Sequence, residues 1–230
     1  IELRNIHNLM NDIVELFPSP DKKKCAGINM KTNEIFEGDY NFATSKSAYV
    51  FKTIADPFIG KYSLIKVCSG VLKPDTTVLN VNKDTEEKIG RLYVLRGKEA
   101  IEVPELRAGD LGAIAKLSVT TTGDSLATKE VPIQYEKTEL SVPYTYMAYR
   151  AKNKGDEDKI ASALGKLMEE DQTLRSVNDK ENRQLLLYGI GEQQLEVVVS
   201  KLMNRYKVEI ELYRPKVAYR ETLRKKVQVQ

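Results

Sequence analysis

The chain has 230 residues, of which 41% are apolar, and a net charge of +3. That length exceeds what one small core needs, so two domains are expected. No apolar run approaches roughly 18 residues, which excludes a membrane-spanning helix, and a single histidine, His7, nearly excludes His-based catalysis and His-ligated metals.

Residues 5–16 read as one helix. Ile6, Leu9, Met10, Ile13, Leu16 and Phe17 recur at helical spacing, and Pro18 and Pro20 stop it. A lone amphipathic helix needs a surface to lie on. Residues 21–46 are polar and read as a linker holding a hairpin, with extended pieces at 25–30 and 33–36. Cys25 and Cys68 lie far apart in sequence and match no metal-ligand spacing, so they read as two buried, reduced thiols of a cytosolic protein.

Residues 47–133 carry short alternating runs broken by turn signals. Strands are expected at 48–54, 62–69, 77–82, 88–96 and 111–117, with turns at Asp56-Pro57-Phe58-Ile59-Gly60 and Lys73-Pro74-Asp75. Six to eight short strands at this spacing make a closed or nearly closed antiparallel β-barrel. Residues 134–142 are polar and end in Ser141-Val142-Pro143, a linker.

Residues 143–213 alternate strand, helix, strand, strand, helix, strand. The strands are expected at 143–150, 174–177, 183–188 and 207–213, the helices at 156–169 and 192–205. Val208, Ile210 and Leu212 face inward in the last strand. This β-α-β-β-α-β order is the ferredoxin-like sandwich. The fold class is therefore α+β, a barrel followed by a ferredoxin-like domain. In that topology the turns at 169–175 and 189–194 emerge at one end of the sheet and form one surface.

The chemistry is sparse. No Gly-x-x-x-x-Gly-Lys-Ser/Thr phosphate loop occurs, and Gly189-Ile190-Gly191 lacks the third glycine of a dinucleotide loop. The acidic run Glu169, Glu170, Asp171 reads as a solvated helix terminus, with Arg175 following to neutralise one carboxylate. Tyr144, Tyr146 and Tyr149 read as packing under the sheet or against a neighbour. Stacking on RNA bases is the competing reading. Residues 214–230 set Arg214, Lys216, Arg220, Arg224, Lys225 and Lys226 against Glu221, interleaved with Val217 and Tyr219. That pattern suits either a solvated stretch or an extended segment beside RNA.

Several runs together resemble the translational GTPases, most closely elongation factor G. Phe51-Lys52-Thr53-Ile54-Ala55-Asp56-Pro57-Phe58-Ile59-Gly60-Lys61 resembles the opening of that family's second domain. Ser69-Gly70-Val71-Leu72-Lys73, Ile89-Gly90-Arg91-Leu92, Ala108-Gly109-Asp110 and Thr121-Thr122-Gly123-Asp124-Ser125-Leu126 fall where its barrel carries similar runs. Residues 167–175 and Gly189-Ile190-Gly191-Glu192 resemble motifs of its third domain. Pro215-Lys216-Val217-Ala218-Tyr219-Arg220-Glu221-Thr222 resembles the start of its fourth. At Gln172, Leu174, Gln194 and Glu196 the family usually has Pro, Phe, His and Asp. These departures leave open a housekeeping translocase, a divergent paralogue, a recycling factor or a ribosome-protection protein.

The resemblance implies a middle piece of a longer cytoplasmic chain. Residues 1–46 would be the last helix of a missing nucleotide-binding domain plus a linker, and 214–230 the way into a missing fourth domain. The piece would bind no cofactor and catalyse nothing, while the parent would bind and hydrolyse GTP. The expected partners are the ribosome, through small-subunit RNA and proteins, and the nucleotide domain in cis. No membrane partner is expected, and the piece is expected to be a monomer. Asp171, Thr173, Arg175, Glu192 and Gln194 are the expected contacts to the nucleotide domain. Lys61, Arg91, Lys216, Arg220 and Arg224 are the expected contacts to ribosome or RNA. The alternative function is a free-standing RNA-binding protein built from a barrel and an RNA-recognition-like sheet.

Overall fold

The computed structural model describes residues 3–19, 22, 24–38, 40–56, 60–97 and 99–221. The chain divides into two compact units, Ile1–Thr138 and Glu139–Gln230.

In the first unit, helix α1 (Leu3–Leu16) carries the expected stripe, and Ile6, Leu9, Met10, Ile13 and Phe17 are all exposed. Strands β1 (Cys25–Asn29) and β2 (Ile35–Gly38) form the hairpin expected in the polar stretch. The remaining strands of this unit are β3 (Ser47–Asp56), β4 (Gly60–Ser69), β5 (Val71–Leu72), β6 (Thr77–Asn80), β7 (Thr85–Lys88), β8 (Leu92–Arg96), β9 (Glu99–Val103), β10 (Leu106–Arg107), β11 (Leu111–Ala115), β12 (Ser125–Ala127) and β13 (Ile133–Tyr135).

Eight of these form one sheet in the order β7-β6-β12-β3-β4-β11-β8-β9, and β5 pairs with β10. They surround a single core of Ala48, Val50, Ile65, Val67, Leu72, Val78, Ile89, Leu92, Leu106, Ile114, Leu117 and Leu126. Val78 of β6 and Leu92 of β8, from near opposite ends of the order, meet in that core, which is what a barrel does. Emptying such a site, as in Leu→Ala, costs about 2–5 kcal/mol.

The first long barrel strand, β3, changes its inward set halfway. A bulge between Val50 and Lys52 leaves Phe51 as the extra residue. Ala48 and Val50 are buried before it, Thr53 and Ala55 after it, and Phe51 and Lys52 both face solvent. The single strand expected at 88–96 is two, because 89–91 leave the ladder between β7 and β8. The turn at 57–59 lies outside the described residues.

The hairpin is tied to the barrel. β1 pairs with β13 as well as β2. A second cluster forms beneath this small sheet from Cys68, Ala127, Ile133 and Tyr135, with Cys25, Phe36 and Tyr49 packed against it. Ser47 joins it by hydrogen bonds to Ser69 Oγ at 2.6 Å and Tyr135 Oη at 2.7 Å.

The second unit runs β14 (Thr145–Ala151), α2 (Glu157–Glu170), β15 (Arg175–Asp179), β16 (Gln184–Gly189), α3 (Glu192–Lys201) and β17 (Ile210–Tyr213). The sheet order is β15-β16-β14-β17 with every pair antiparallel, the ferredoxin-like arrangement. α2 and α3 cover one face and bury Ile160, Leu164, Leu167, Leu195 and Val198 against Tyr149, Leu187 and Ile210. α3 does not run on to 205 as an α-helix. Leu202–Tyr206 is a π-helical turn, closed by Lys207 at φ 58°, and Val208 N–H bonds back to Leu202 O at 3.2 Å.

Candidate functional site

The two turns expected to share one end of the sheet do meet. β15 begins with Arg175 paired to Tyr188, one residue before the end of β16. The turns on either side are therefore neighbours.

Asp171 caps the end of α2, and its N–H still bonds to Leu167 O at 2.9 Å. Its carboxylate then turns the chain. Oδ1 accepts from Thr173 N at 3.0 Å and from Thr173 Oγ1 at 2.5 Å, an Asx turn. Leu174 drops into the core directly after it.

Gln194, in the first turn of α3, joins the two turns. Its Oε1 accepts the Ile190 N–H at 2.7 Å, while its Nε2 donates to Asp171 Oδ2 at 2.7 Å and Thr173 Oγ1 at 2.8 Å. The backbone donor on one side fixes which end of the amide faces the carboxylate. Gly189 makes room for this. A Cβ there would lie 2.6 Å from Gln194 Oε1 and 2.9 Å from Leu195 Cδ2.

Arg175 is placed differently from the sequence reading. It is exposed and makes no ion pair among the described residues. Asp171 is already taken by Thr173 and Gln194, and Glu170 pairs with Arg205 at 2.8 Å and Lys201 at 3.8 Å. The acidic run is thus partly tucked in, with the Glu170 side chain only 12% exposed. Glu192 is exposed and likewise unpaired among the described residues. The five expected contact residues therefore fall into two sets. Asp171, Thr173 and Gln194 form a hydrogen-bonded clamp, and Arg175 and Glu192 stay open to solvent. The clamp's carboxylate takes three donors from the two turns, which suits it to hold their shape.

Each of the described basic residues has its own local setting within its unit. Lys61 is half-buried, and its ammonium donates to Thr120 O at 2.8 Å. Arg91 reaches Glu102 at 3.3 Å. Both belong to the first unit. In the second, Lys216 is held by its backbone, which exchanges two bonds with the Gln184 amide, each 2.9 Å. Arg220 pairs with Glu181 at 3.1 Å on the surface. Arg224 lies outside the described residues.

The tyrosines separate by face. Tyr149 packs under the helices and bonds Ser176 Oγ at 2.9 Å. Tyr146 is on the opposite face and stacks on Tyr188, with centroids 5.0 Å apart. Tyr144 is exposed.

A polar network in the barrel escaped the sequence reading. Glu87 is buried, and Oε1 accepts from Ser118 N at 2.6 Å, Ser118 Oγ at 3.0 Å and Val119 N at 2.8 Å. Oε2 takes Thr120 N at 3.0 Å and the Thr120 hydroxyl. Next to it, Asp124 accepts from Asn80 Nδ2 at 2.9 Å, Thr121 N at 2.8 Å and Lys83 Nζ at 3.0 Å. Burial works to raise both carboxyls, and the gathered donors outweigh it, so both end below the usual carboxylate range. The network fixes the 118–124 loop, whose Thr120 carbonyl holds Lys61. Only the Thr-Gly-Asp turn signalled it in sequence.

Among the described residues no cluster of three or more His, Cys, Asp or Glu could hold a metal, and no described helix is long and apolar enough to cross a membrane.

Comparison with known proteins agrees with the geometry. Residues 45–129 match the family model for elongation factor G domain 2, and residues 140–214 match that for elongation factor G domain III. The first match covers the barrel and the second the ferredoxin-like sandwich, in that order along the chain. The chain belongs to the elongation factor G family. A crystal structure of a protein from Thermus thermophilus matches it with a TM-score of 0.71 and 29% identity, over 93% of this chain and 30% of that one. The chain thus spans less than a third of the length of that protein.

Proposed function

We propose that this chain is the middle part of an elongation factor G-like translational GTPase. In this reading it works in the cytoplasm during protein synthesis. The barrel docks on small-subunit ribosomal RNA, and the ferredoxin-like domain relays the GTP state of a preceding nucleotide-binding domain to translocation. The exposed stripe of α1 then packs against that preceding domain. The observation that carries the relay is the clamp at the end of the sheet. Gln194 fastens two turns into one rigid surface, and that surface leaves Arg175 and Glu192, of opposite charge, exposed and unpaired among the described residues. A surface held by its own hydrogen bonds can pass on a push without deforming.

The experiment uses the parent protein in which a nucleotide-binding domain precedes residue 1. Arg175→Ala and Glu192→Ala should each lower ribosome-stimulated GTP turnover or translocation several-fold, while nucleotide affinity and folding stay unchanged. Wild-type rates for both variants would overturn the relay.

A further inference from the structure

Cys25 and Cys68, far apart in sequence, are brought together by the fold. Cys25 sits on β1, paired with Gly38 across the hairpin. Cys68 sits on barrel strand β4. Gly38 makes their approach possible. A Cβ there would collide with the Cys68 carbonyl oxygen and would lie 3.5 Å from Cys25 Cβ. Cys25 packs against the cluster beneath the small sheet that holds Cys68 and Tyr135. Both are thiols.

We propose that Cys25 and Cys68 form a reversible disulfide that fastens the β1–β2 hairpin to the barrel strand β4. The two thiols differ in access, and this sets the order of events. Cys68 is buried, 2% exposed, whereas Cys25 is half-buried and reachable. Interaction with the Cys25 side chain, then burial, push the Cys68 thiol up, which disfavours it as the first nucleophile. A peroxide oxidant meets Cys25 first. Its sulfur displaces water from hydrogen peroxide and becomes a sulfenic acid. The neighbouring Cys68 thiol then attacks that sulfur, its proton passes to the departing hydroxyl as the S–O bond breaks, and the S–S bond forms with loss of a second water. Two thiols and one peroxide give one disulfide and two waters, and a dithiol reductant reverses the change. The bond would close the chain from residue 25 to residue 68, which limits the unfolded state far more than the folded one.

The test treats the 230-residue chain with stoichiometric hydrogen peroxide, alkylates the remaining thiols under denaturing conditions and reads the products by mass spectrometry. The expected result is a monomer with both thiols lost together and a cross-linked peptide pair containing Cys25 and Cys68. Its Tm should rise by about 5–10 °C and return on reduction. Cys25→Ser should leave Cys68 unmodified at the same peroxide dose, which separates a resolving thiol from an independently reactive one. A stable sulfenic or sulfinic acid on Cys25 with Cys68 still free would overturn the proposal, and so would Cys25–Cys25 dimers.

Discussion

Gln194 and Asp171 lie 23 residues apart in sequence, and the Gln194 amide donates to the Asp171 carboxylate at 2.7 Å. This one bond joins the end of α2 to the start of α3. Gln194→Ala removes it together with the acceptor of the Ile190 N–H, and should destabilise the chain by about 1–3 kcal/mol in urea unfolding. Gln194→Glu should be worse at neutral pH, because two carboxylates then face each other. That variant should regain stability as the pH is lowered and one proton is shared between them. Equal stability of Gln194→Glu and wild type at pH 7 would mean the clamp does not hold.

The second unit was the more legible in sequence, for a physical reason. Its helices bury stripes at helical spacing, such as Ile160, Leu164 and Leu167, and Ile210 and Leu212 face the core on either side of exposed Glu211 as a half-buried strand must, although the strand begins at Ile210 and not at the expected 207. The barrel gave less. β9 reads Glu-Ala-Ile-Glu-Val with little burial, and β12 has three residues, all buried, so neither shows a period. The thiol pair and the small three-stranded sheet depend on pairing β1 with β13, more than a hundred residues on, which no local pattern encodes. At the candidate site, the topology alone brought Asp171, Thr173 and Gln194 to one end. Their hydrogen bonding and the isolation of Arg175 depended on side-chain geometry. The π-helical turn at Leu202–Tyr206 had no sequence signal.

Acid should unfasten the barrel through Glu87 and Asp124. Both carboxyls lie below their ordinary values of 4.5 and 3.8. A carboxyl whose folded pKa is depressed stabilises the fold fully above its unfolded value, and that stability is lost as pH falls through the folded one. The urea midpoint should therefore be flat near neutrality and drop steeply below about pH 4.5. Glu87→Gln should lower stability at neutral pH by about 2–3 kcal/mol, since an amide cannot accept from all the donors of residues 118–120. It should also make the acid drop shallower. An acid profile unchanged by Glu87→Gln would assign the drop to other groups.

The chain should bind neither GTP nor GDP by itself. The sequence has no phosphate loop, and the Gly189-Ile190-Gly191 turn is occupied by its own clamp, with the Ile190 N–H already given to Gln194. Calorimetry at millimolar nucleotide should show no heat of binding. Micromolar affinity would place a nucleotide site in one of these two domains and overturn the division of labour proposed above.

Proteolysis should separate the two units first. They divide at Thr138 and Glu139. Residues 136–142 are all exposed and belong to no helix or strand. The ties there are weak, Tyr49 Oη to Thr138 at 3.5 Å through both Thr138 N and Oγ1. A protease needs several residues of extended, accessible backbone, and this stretch offers them without breaking a ladder. Within the barrel the same backbone is committed. Strand β4 pairs on both sides, with β3 and β11, so cutting there requires the unit to unfold. A Glu-specific protease at low dose should cleave at Glu136 or Glu139 and leave two fragments that each resist further digestion between the cut and their last strand. Cleavage first at a site within β4 to β11, ahead of 136–142, would show that the barrel opens more readily than the connection and would sink the two-unit boundary.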